Sequence, residues 1–199
     1  MTKPVRRAGR LALADGGIVL WSLAEGRNGR RWRWNRVGPT GLVEAGLLEI
    51  ATGGSFARLE LATPSGLLTI HPEAGEGRAH GNVVSDQGVT PIRVAWTADH
   101  DIGVAGSPVP RLAVAHALRG GVGVGETSAR TTVTVDARLA LAERRETWTR
   151  IGDGRWVVRD TDDPARAEQI VTVDAEGLPP WIESSEPSWA LETSADRGS

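Results

Sequence analysis

Residues 91–118 read PIRVAWTADHDIGVAGSPVPRLAVAHAL, and the order of residue types in this stretch decides the fold. The stretch begins with alternating apolar and polar residues, which is typical of a β-strand that buries one face. A polar turn and a Gly-Ser-Pro break follow, and residues 111–118 then form an apolar run that predicts a strand buried on both faces. We therefore expect two β-rich halves joined by residues 99–110, a segment that we call the seam.

On both sides of the seam, turn residues cut the chain into short runs with β-type patterns. Before the seam these runs are 18–23, 30–36, 42–51, 56–63, 67–71, 78–85 and 92–97, and after it they include 130–136, 155–160 and 169–174. About a dozen short strands at this spacing indicate an all-β protein. The prediction is a set of antiparallel strands that form an open or half-closed barrel or a two-lobed β-sandwich, with two halves that could reflect an internal duplication.

We expect a single all-β domain over residues 16–180. Residues 1–15 are predicted to be a flexible, basic N-terminus, and residues 181–199 are predicted to be a C-terminal tail that packs Trp181 or Trp189 on the domain. The first apolar run is too short for the core of a signal peptide, and no run approaches the ~18 residues of a membrane span. These features predict a cytoplasmic protein with no membrane span.

The charge balance argues against nucleic acid as a partner. Of the 199 residues, 23 are basic and 25 are acidic, which gives a net charge of −2 and no global field that would attract a polyanion. In residues 30–36, RRWRWNR, Arg and Trp alternate in a way that could also stack RNA bases. Because the chain is nearly neutral and has one such run, we predict instead a strand that buries Trp32 and Trp34.

The aromatic content is lopsided, with eight Trp, one Phe and no Tyr. Trp buries a large rigid surface and keeps one hydrogen-bond donor at its edge. Most of these side chains are expected to fill the core of a β-structure. The alternative is that some of them line a cavity for an amphiphile or a sugar, and the sequence leaves both interpretations open.

The sequence contains no complete signature of catalysis or metal binding. Residues 120–127, GGVGVGET, approach the phosphate-binding loop G-x-x-x-x-G-K-[ST], but Glu126 stands where the lysine belongs and would repel phosphate. The chain has no Cys, and its four His lack the close spacing of common zinc sites. Ser107 precedes a proline, which lacks the backbone N–H that an oxyanion hole could use. We therefore predict no catalytic residue, no metal and no cofactor.

Three segments after the seam show a distinctive order of features. Residues 107–112 read SPVPRL, residues 141–160 read LAERRETWTRIGDGRWVVRD, and residues 171–178 read VTVDAEGL. They resemble, in this order, the central Pro-x-Arg-Leu strand start, the long hairpin and the closing Asp-x-x-Gly-Leu turn of a bacterial glycolipid-binding family. The resemblance implies an all-β, barrel-like fold with a concave apolar surface and a lipid-like or glycolipid ligand.

The leading hypothesis is a binding protein that holds a lipid-like or glycolipid amphiphile in a β-barrel cavity without catalysis. The Trp side chains of the predicted site would form an apolar wall, and its His and Arg side chains would meet the polar head group. The predicted site residues are Trp32, Trp34, Trp96, His100, Arg111, His116 and Trp148. Arg111 in particular could hold a phosphate or a carboxylate through two parallel hydrogen bonds.

Two other functions remain open from the sequence. One is a hydrolase that uses Asp99, His100 or His116 as a base, which requires a His and a carboxylate within hydrogen-bond reach inside a cleft. The other is a structural or protein-interaction module with exposed strand edges, which could be a homodimer.

Overall fold

The computed structural model describes residues 5–73, 75–179 and 190–192, the last three and Val5 by backbone alone. Within these residues the chain forms fourteen β-strands and one α-helix. The strands make two sheets, one of nine strands and one of five. The predicted all-β class is confirmed, and because both sheets keep unpaired edge strands, the structure is an open, barrel-like assembly and not a closed barrel.

The nine-stranded sheet, sheet A, is antiparallel throughout. Its spatial order is β14-β1-β2-β3-β4-β5-β6-β7-β8, so eight strands follow each other as a meander. The strands are β1 (Val5–Ala12), β2 (Ile18–Gly26), β3 (Gly29–Gly38), β4 (Gly41–Ile50), β5 (Phe56–Thr63), β6 (Gly66–Glu73), β7 (Arg78–Ser85), β8 (Gly88–Ala95) and β14 (Ala190–Glu192). Tight turns with glycine join β1 to β8 in succession, as the predicted turn residues require.

The five-stranded sheet, sheet B, has the order β13-β12-β11-β10-β9. Its elements are β9 (His100–Val104), α1 (Val109–Leu118), β10 (Thr127–Val135), β11 (Leu141–Gly152), β12 (Arg155–Asp160) and β13 (Gln169–Thr172). β9 runs parallel to β10, and the helix α1 makes the crossover between them. The two sheets therefore differ in connectivity, because sheet A contains no such crossover among the described residues.

One hydrophobic core joins the two sheets. The alternation predicted for residues 30–36 is confirmed, since Trp32 and Trp34 are 0% and 2% exposed while Arg31 and Arg33 are exposed. Trp32 packs against Trp21 of the neighbouring strand at a ring-centroid distance of 5.5 Å. These side chains place the large Trp surface inside the protein, which is the core-filling role that their size favours.

The helix α1 lies in this core. Six of its ten residues are buried: Val109, Pro110, Leu112, Ala113, Val114 and Ala115. Its side chains reach both sheets, because Arg111 bonds Glu146 of sheet B and Ala117 lies against Gly54 in the β4–β5 turn of sheet A. At its carboxyl end, Arg150 donates to the carbonyls of Arg119 and Val122, which supplies partners for the last turn.

The prediction of a strand over residues 111–118 is wrong, because this segment is most of α1. The resemblance to a strand start at residues 107–112 fails for the same reason. A helix that is apolar on all sides has the same uninterrupted hydrophobic pattern as a strand buried on both faces. Two features of the segment favour the helix: a proline in its first turn, where a missing N–H does no harm, and alanine at alternate positions after it.

The predicted flexible N-terminus is also wrong for residues 5–12, which form β1. β1 pairs with β2 along its whole length, and Leu11 is buried. Gly9 makes this possible, because a Cβ there would lie 2.7 Å from the ring of Trp21. In the predicted tail, Ala190–Glu192 pairs with β1 as β14, while the predicted packing of Trp181 or Trp189 lies outside the described residues.

In the part of the chain that the structure describes, no helix has the length and apolar character that crossing a membrane would need.

Candidate functional site

A cavity of about 920 Å³ lies where the two sheets meet α1. Sheet A contributes residues of β1, β3 and the β1–β2 turn, and sheet B contributes residues of all five of its strands. The seam and the first two turns of α1 form the wall between them. This volume lies within the range of roughly 300–1,000 Å³ that small-molecule sites in proteins occupy.

Buried apolar side chains form the floor of the cavity. They come from five different elements and include Leu11, Ile102, Val104, Leu112, Val114, Trp148 and Val171. Trp148 lies on the same face of sheet B as its cross-strand partner Val158, and its ring packs against Trp156 at a centroid distance of 6.3 Å. The floor is therefore rigid and apolar, since each of its side chains is fixed by core contacts on its other side.

The rim of the cavity is exposed and rich in charge. Five arginines line the cavity, Arg36, Arg111, Arg144, Arg155 and Arg166, against two acidic residues, Asp15 and Glu168. Ile170 of β13 lies exposed at this rim, together with Arg166 and Glu168 of the loop before this strand. The cavity thus combines an apolar interior with a predominantly cationic opening.

Arg111 is held by a buried carboxylate on the wall of the cavity. Its Nη2 and Nη1 donate to the two oxygens of Glu146 at 2.7 and 3.2 Å, and Thr132 donates a third hydrogen bond to the same carboxylate at 2.9 Å. Its guanidinium carbon also lies 5.8 Å from the ring centroid of Trp148. Glu146 already accepts the two parallel hydrogen bonds that Arg111 was predicted to donate to a ligand. Arg111 therefore stabilises the wall of the cavity, and its charge is largely neutralised.

A second acidic side chain, Glu44, is buried between β3 and the seam. Its Oε1 accepts a hydrogen bond from the indole Nε1 of Trp34 at 2.8 Å. Burial raises the pKa of the Glu44 carboxyl above its ordinary value, although the Trp34 N–H acts in the opposite direction. Loss of water around the charged carboxylate is therefore the largest influence on the pKa of Glu44.

Glu44→Gln is expected to remove a component of the pH dependence of stability. A raised folded-state pKa means that Glu44 contributes stability below its ordinary pKa of 4.5, and that this contribution is lost as the pH rises through the raised value. Gln keeps an acceptor for Trp34 and carries no charge. Urea unfolding from pH 4.5 to neutrality should therefore show the variant gaining stability over the parent with rising pH. A stability difference between variant and parent that does not change with pH would contradict this assignment. The control is Glu49→Gln on the surface, which should not show this gain in stability with rising pH.

The structure disperses the seven residues predicted for the site. Arg111 and Trp148 line the cavity, whereas Trp32 and Trp34 belong to the core of sheet A. Trp96 packs against Phe56 at a centroid distance of 4.9 Å, away from the cavity lining. The seam itself forms one wall of the cavity.

The two histidines of the predicted site lie elsewhere. His100 accepts a hydrogen bond from the backbone N–H of Thr97 at its Nδ1, and its ring packs over Trp96 at 5.4 Å. His116 faces the turn at Gly177 and the side chain of Arg30, and burial lowers the pKa of its imidazole. Among the described residues no histidine lines the cavity, so the geometry that the hydrolase hypothesis requires is not met there.

Two further chemical motifs have local structural roles. In the triplet Asp99-His100-Asp101, the carboxylate of Asp101 accepts two hydrogen bonds from Arg130, at 2.6 and 3.0 Å. The Glu126 carboxylate accepts the backbone N–H of Gly123 at 2.7 Å, and the loop leads into the strand β10 and not into a helix. Within residues 5–73, 75–179 and 190–192, no group of three potential ligands could hold a metal ion.

Sequence reasoning missed the arginines Arg144, Arg155 and Arg166 at the rim. Arg144 and Arg155 belong to the predicted hairpin of residues 141–160, whose sequence does not show that they line a cavity. Only the curvature of sheet B brings them to one opening together with α1, and this curvature has no local sequence pattern. The one available indication was the excess of Arg over Lys in the composition.

Comparison with known proteins supports the fold of this chain and gives no information on its activity. No protein-family model matches the chain, and no curated protein matches it. A solved structure with a similar fold is the crystal structure of a DUF1089 family protein from Pseudomonas aeruginosa, at 16% sequence identity and a TM-score of 0.53. The match covers 89% of this chain and 88% of that one, and at this identity it supports the all-β architecture alone.

Proposed function

We propose that this protein is a non-catalytic binding protein for a lipid-like or glycolipid amphiphile. The observation that carries the proposal is the cavity of about 920 Å³ with a buried apolar floor and an exposed polar rim. An amphiphile needs both environments, because its chain gains free energy when it leaves water and its head group must keep polar partners. The resemblance of residues 141–160 and 171–178 to a glycolipid-binding family supports the same class of ligand.

The preformed walls of the cavity favour binding over chemistry. Trp148 and the Arg111–Glu146 pair are fixed by contacts within the protein, so they lose little side-chain freedom when a ligand enters. The side chains that line the cavity include no histidine among the described residues. The proposal therefore assigns the cavity to recognition and gives no residue a catalytic role.

Intrinsic fluorescence with native mass spectrometry tests this proposal. Titration with single-chain amphiphiles below their micelle concentration should give one bound molecule and a change in Trp emission. Trp148→Phe should remove most of this change because Trp148 lines the cavity, whereas Trp156→Phe should retain it because Trp156 is buried behind it. An absence of binding by every amphiphile, or a response independent of Trp148, would overturn the proposal.

Ile170→Trp is expected to weaken amphiphile binding about tenfold by filling part of the mouth. Ile170 lines the cavity and is 48% exposed, so the larger ring fits without disturbing the core. Ile151→Trp is the matched control, because Ile151 is 44% exposed in the same sheet but does not line the cavity. Calorimetric titration of both variants should separate them, and equal affinities would place the binding site elsewhere.

A further inference from the structure

We infer that the head group of the bound amphiphile is an oxyanion, a phosphate or a carboxylate, held by Arg144 and Arg166. The inference rests on the proposed function and adds to it the charge of the ligand and the place of its head group. It is carried by a cluster of three side chains at the rim of the cavity, Arg144, Arg166 and Asp160.

The two guanidinium groups converge on a single oxygen atom. Arg144 Nη1 lies 3.3 Å and Arg166 Nη1 lies 3.6 Å from the same atom, Asp160 Oδ2. Both arginines line the cavity. Since both reach one oxygen, they are close enough to contact one ligand anion from two sides.

Asp160 cannot neutralise both cations. Its other oxygen, Oδ1, accepts the backbone N–H groups of Asp162 and Asp163, each at 3.0 Å. The carboxylate therefore bears one negative charge against two positive ones, and its second oxygen is already occupied. The cluster keeps an excess positive charge that faces the cavity.

Most donors of the two arginines are unused by the protein. A guanidinium has five N–H donors, yet among the described residues Arg144 makes one hydrogen bond from its side chain and Arg166 makes none. Their side chains are 36% and 39% exposed, so water reaches the remaining donors. A phosphate or carboxylate could replace this water with charge-assisted hydrogen bonds, which are among the strongest polar contacts in proteins.

The backbone that carries the cluster is fixed before a ligand arrives. Asp162 accepts both the backbone N–H of Arg145 at 2.8 Å and its Nε at 3.0 Å, and Thr161 bonds the Arg145 carbonyl through its backbone and its side chain. The backbone N–H of Arg166 in turn donates to the Asp163 carbonyl at 3.0 Å. These bonds tie the loop after β12 to β11, so the two arginines need little reordering to bind.

The surrounding charges also favour an anion. Arg155 lines the cavity and has no ion-pair partner in the described part of the chain, so it adds unneutralised positive charge. Glu168 also lines the cavity, but Arg159 binds its carboxylate at 2.6 Å. On the opposite side of the mouth, Arg36 and Asp15 pair with each other at 2.8 Å. These charges together give the cavity a cationic rim above an apolar floor. This arrangement orients the head group of the ligand outward and its hydrocarbon chain inward.

A series of ligands with one common chain tests this inference. The probes are dodecyl phosphate, dodecanoate, dodecyl maltoside and dodecyltrimethylammonium, each below its micelle concentration, together with inorganic phosphate alone. We expect dodecyl phosphate and dodecanoate to bind at least tenfold more tightly than the maltoside and the cation. The affinity of the two anions should fall as salt is added, whereas that of the maltoside should not.

The variant Arg166→Gln should lower the affinity for dodecyl phosphate about tenfold, as expected for the loss of a charged hydrogen bond to the ligand. It should leave the affinity for the maltoside unchanged. Arg93→Gln is the matched control, because Arg93 is exposed on β8, outside the cavity lining. Thermal unfolding of both variants checks that they fold as the parent does, and Arg166→Lys should recover part of the lost affinity.

The outcomes distinguish the two proposals. Binding of no probe would overturn the proposed function, and this inference with it. Equal binding of the maltoside and the two anions, or equal effects of Arg166→Gln and Arg93→Gln, would overturn the oxyanion site while keeping the amphiphile cavity. Inorganic phosphate that competes as well as dodecyl phosphate would show that the chain adds nothing, and the apolar floor would lose its assigned role.

Discussion

Glu146→Gln is expected to lower the free energy of unfolding by about 3 kcal/mol, the loss typical of breaking a buried ion pair from one side. Glu146 is 3% exposed and Arg111 is 22% exposed, so water compensates little for the lost charge. The amide keeps only one acceptor oxygen, and its NH₂ would face an Arg111 N–H in either orientation, since Arg111 donates to both oxygens of the present carboxylate. Urea denaturation at neutral pH measures the change.

An exposed ion pair provides the control for this prediction. Glu49 accepts from Arg31 at 2.7 Å on the surface of sheet A, where the Arg31 side chain is 55% exposed. Glu49→Gln should cost less than about 1 kcal/mol, because such pairs contribute little in water. A similar loss in both variants would contradict the view that burial makes the Arg111–Glu146 pair costly to break. Replacing both partners by Leu should be better tolerated than Glu146→Gln alone.

Gly46→Ala is expected to destabilise the protein by about 3 kcal/mol, at the upper end of the usual cost of overpacking a core. A Cβ at Gly46 would lie 2.1 Å from Cζ2 of Trp34, its cross-strand partner. Trp34 is 2% exposed and cannot move outward, so the ring must shift and stretch its 2.8 Å hydrogen bond to Glu44. Thermal unfolding should show a correspondingly large fall in Tm.

Gly53→Ala is the matched control for this substitution. A Cβ at Gly53 would meet no atom within 4 Å, and its backbone is not left-handed. The change should stay within about 0.5 kcal/mol, as for most surface substitutions. Equal stability of the two variants would mean that Trp34 adapts freely, and the close packing inferred for sheet A would be wrong.

Regular alternation and turn residues allowed seven strands of sheet A, β2 to β8, to be predicted from sequence. In residues 31–35, Trp32 and Trp34 alternate with polar residues, so the pattern defines the strand and its buried face together. Turns with glycine then place the neighbouring strands. The sequence did not predict the order of the strands, which in the structure is a meander in which each strand pairs with the next.

The sequence does not specify the type of secondary structure as clearly for a segment that is buried on every side. Residues 111–118 have no polar face, and period alone therefore could not distinguish a helix from a strand. Because this segment is a helix, Arg111 lies near Trp148, while His116 of the same segment faces Gly177. A helix turns successive side chains through about 100°, so residues five apart point to different surroundings.

The candidate site depends on contacts between distant segments. Arg166 and Arg144 are separated in sequence and meet only because both reach Asp160. Asp160 in turn is fixed by the loop that follows it. Since no local pattern encodes such a meeting, the sequence could not identify these arginines as part of a site.

The most direct test of the central claim is a crystal structure of the protein with dodecanoate that carries bromine on its terminal carbon. Anomalous scattering locates the bromine independently of the rest of the ligand. The account predicts a bromine peak on the apolar floor, against Leu112, Val114 and Trp148. It also predicts that the carboxylate lies at Arg144 and Arg166. A bromine peak at the exposed rim or outside this cavity would contradict the claim that the cavity holds the chain of an amphiphile.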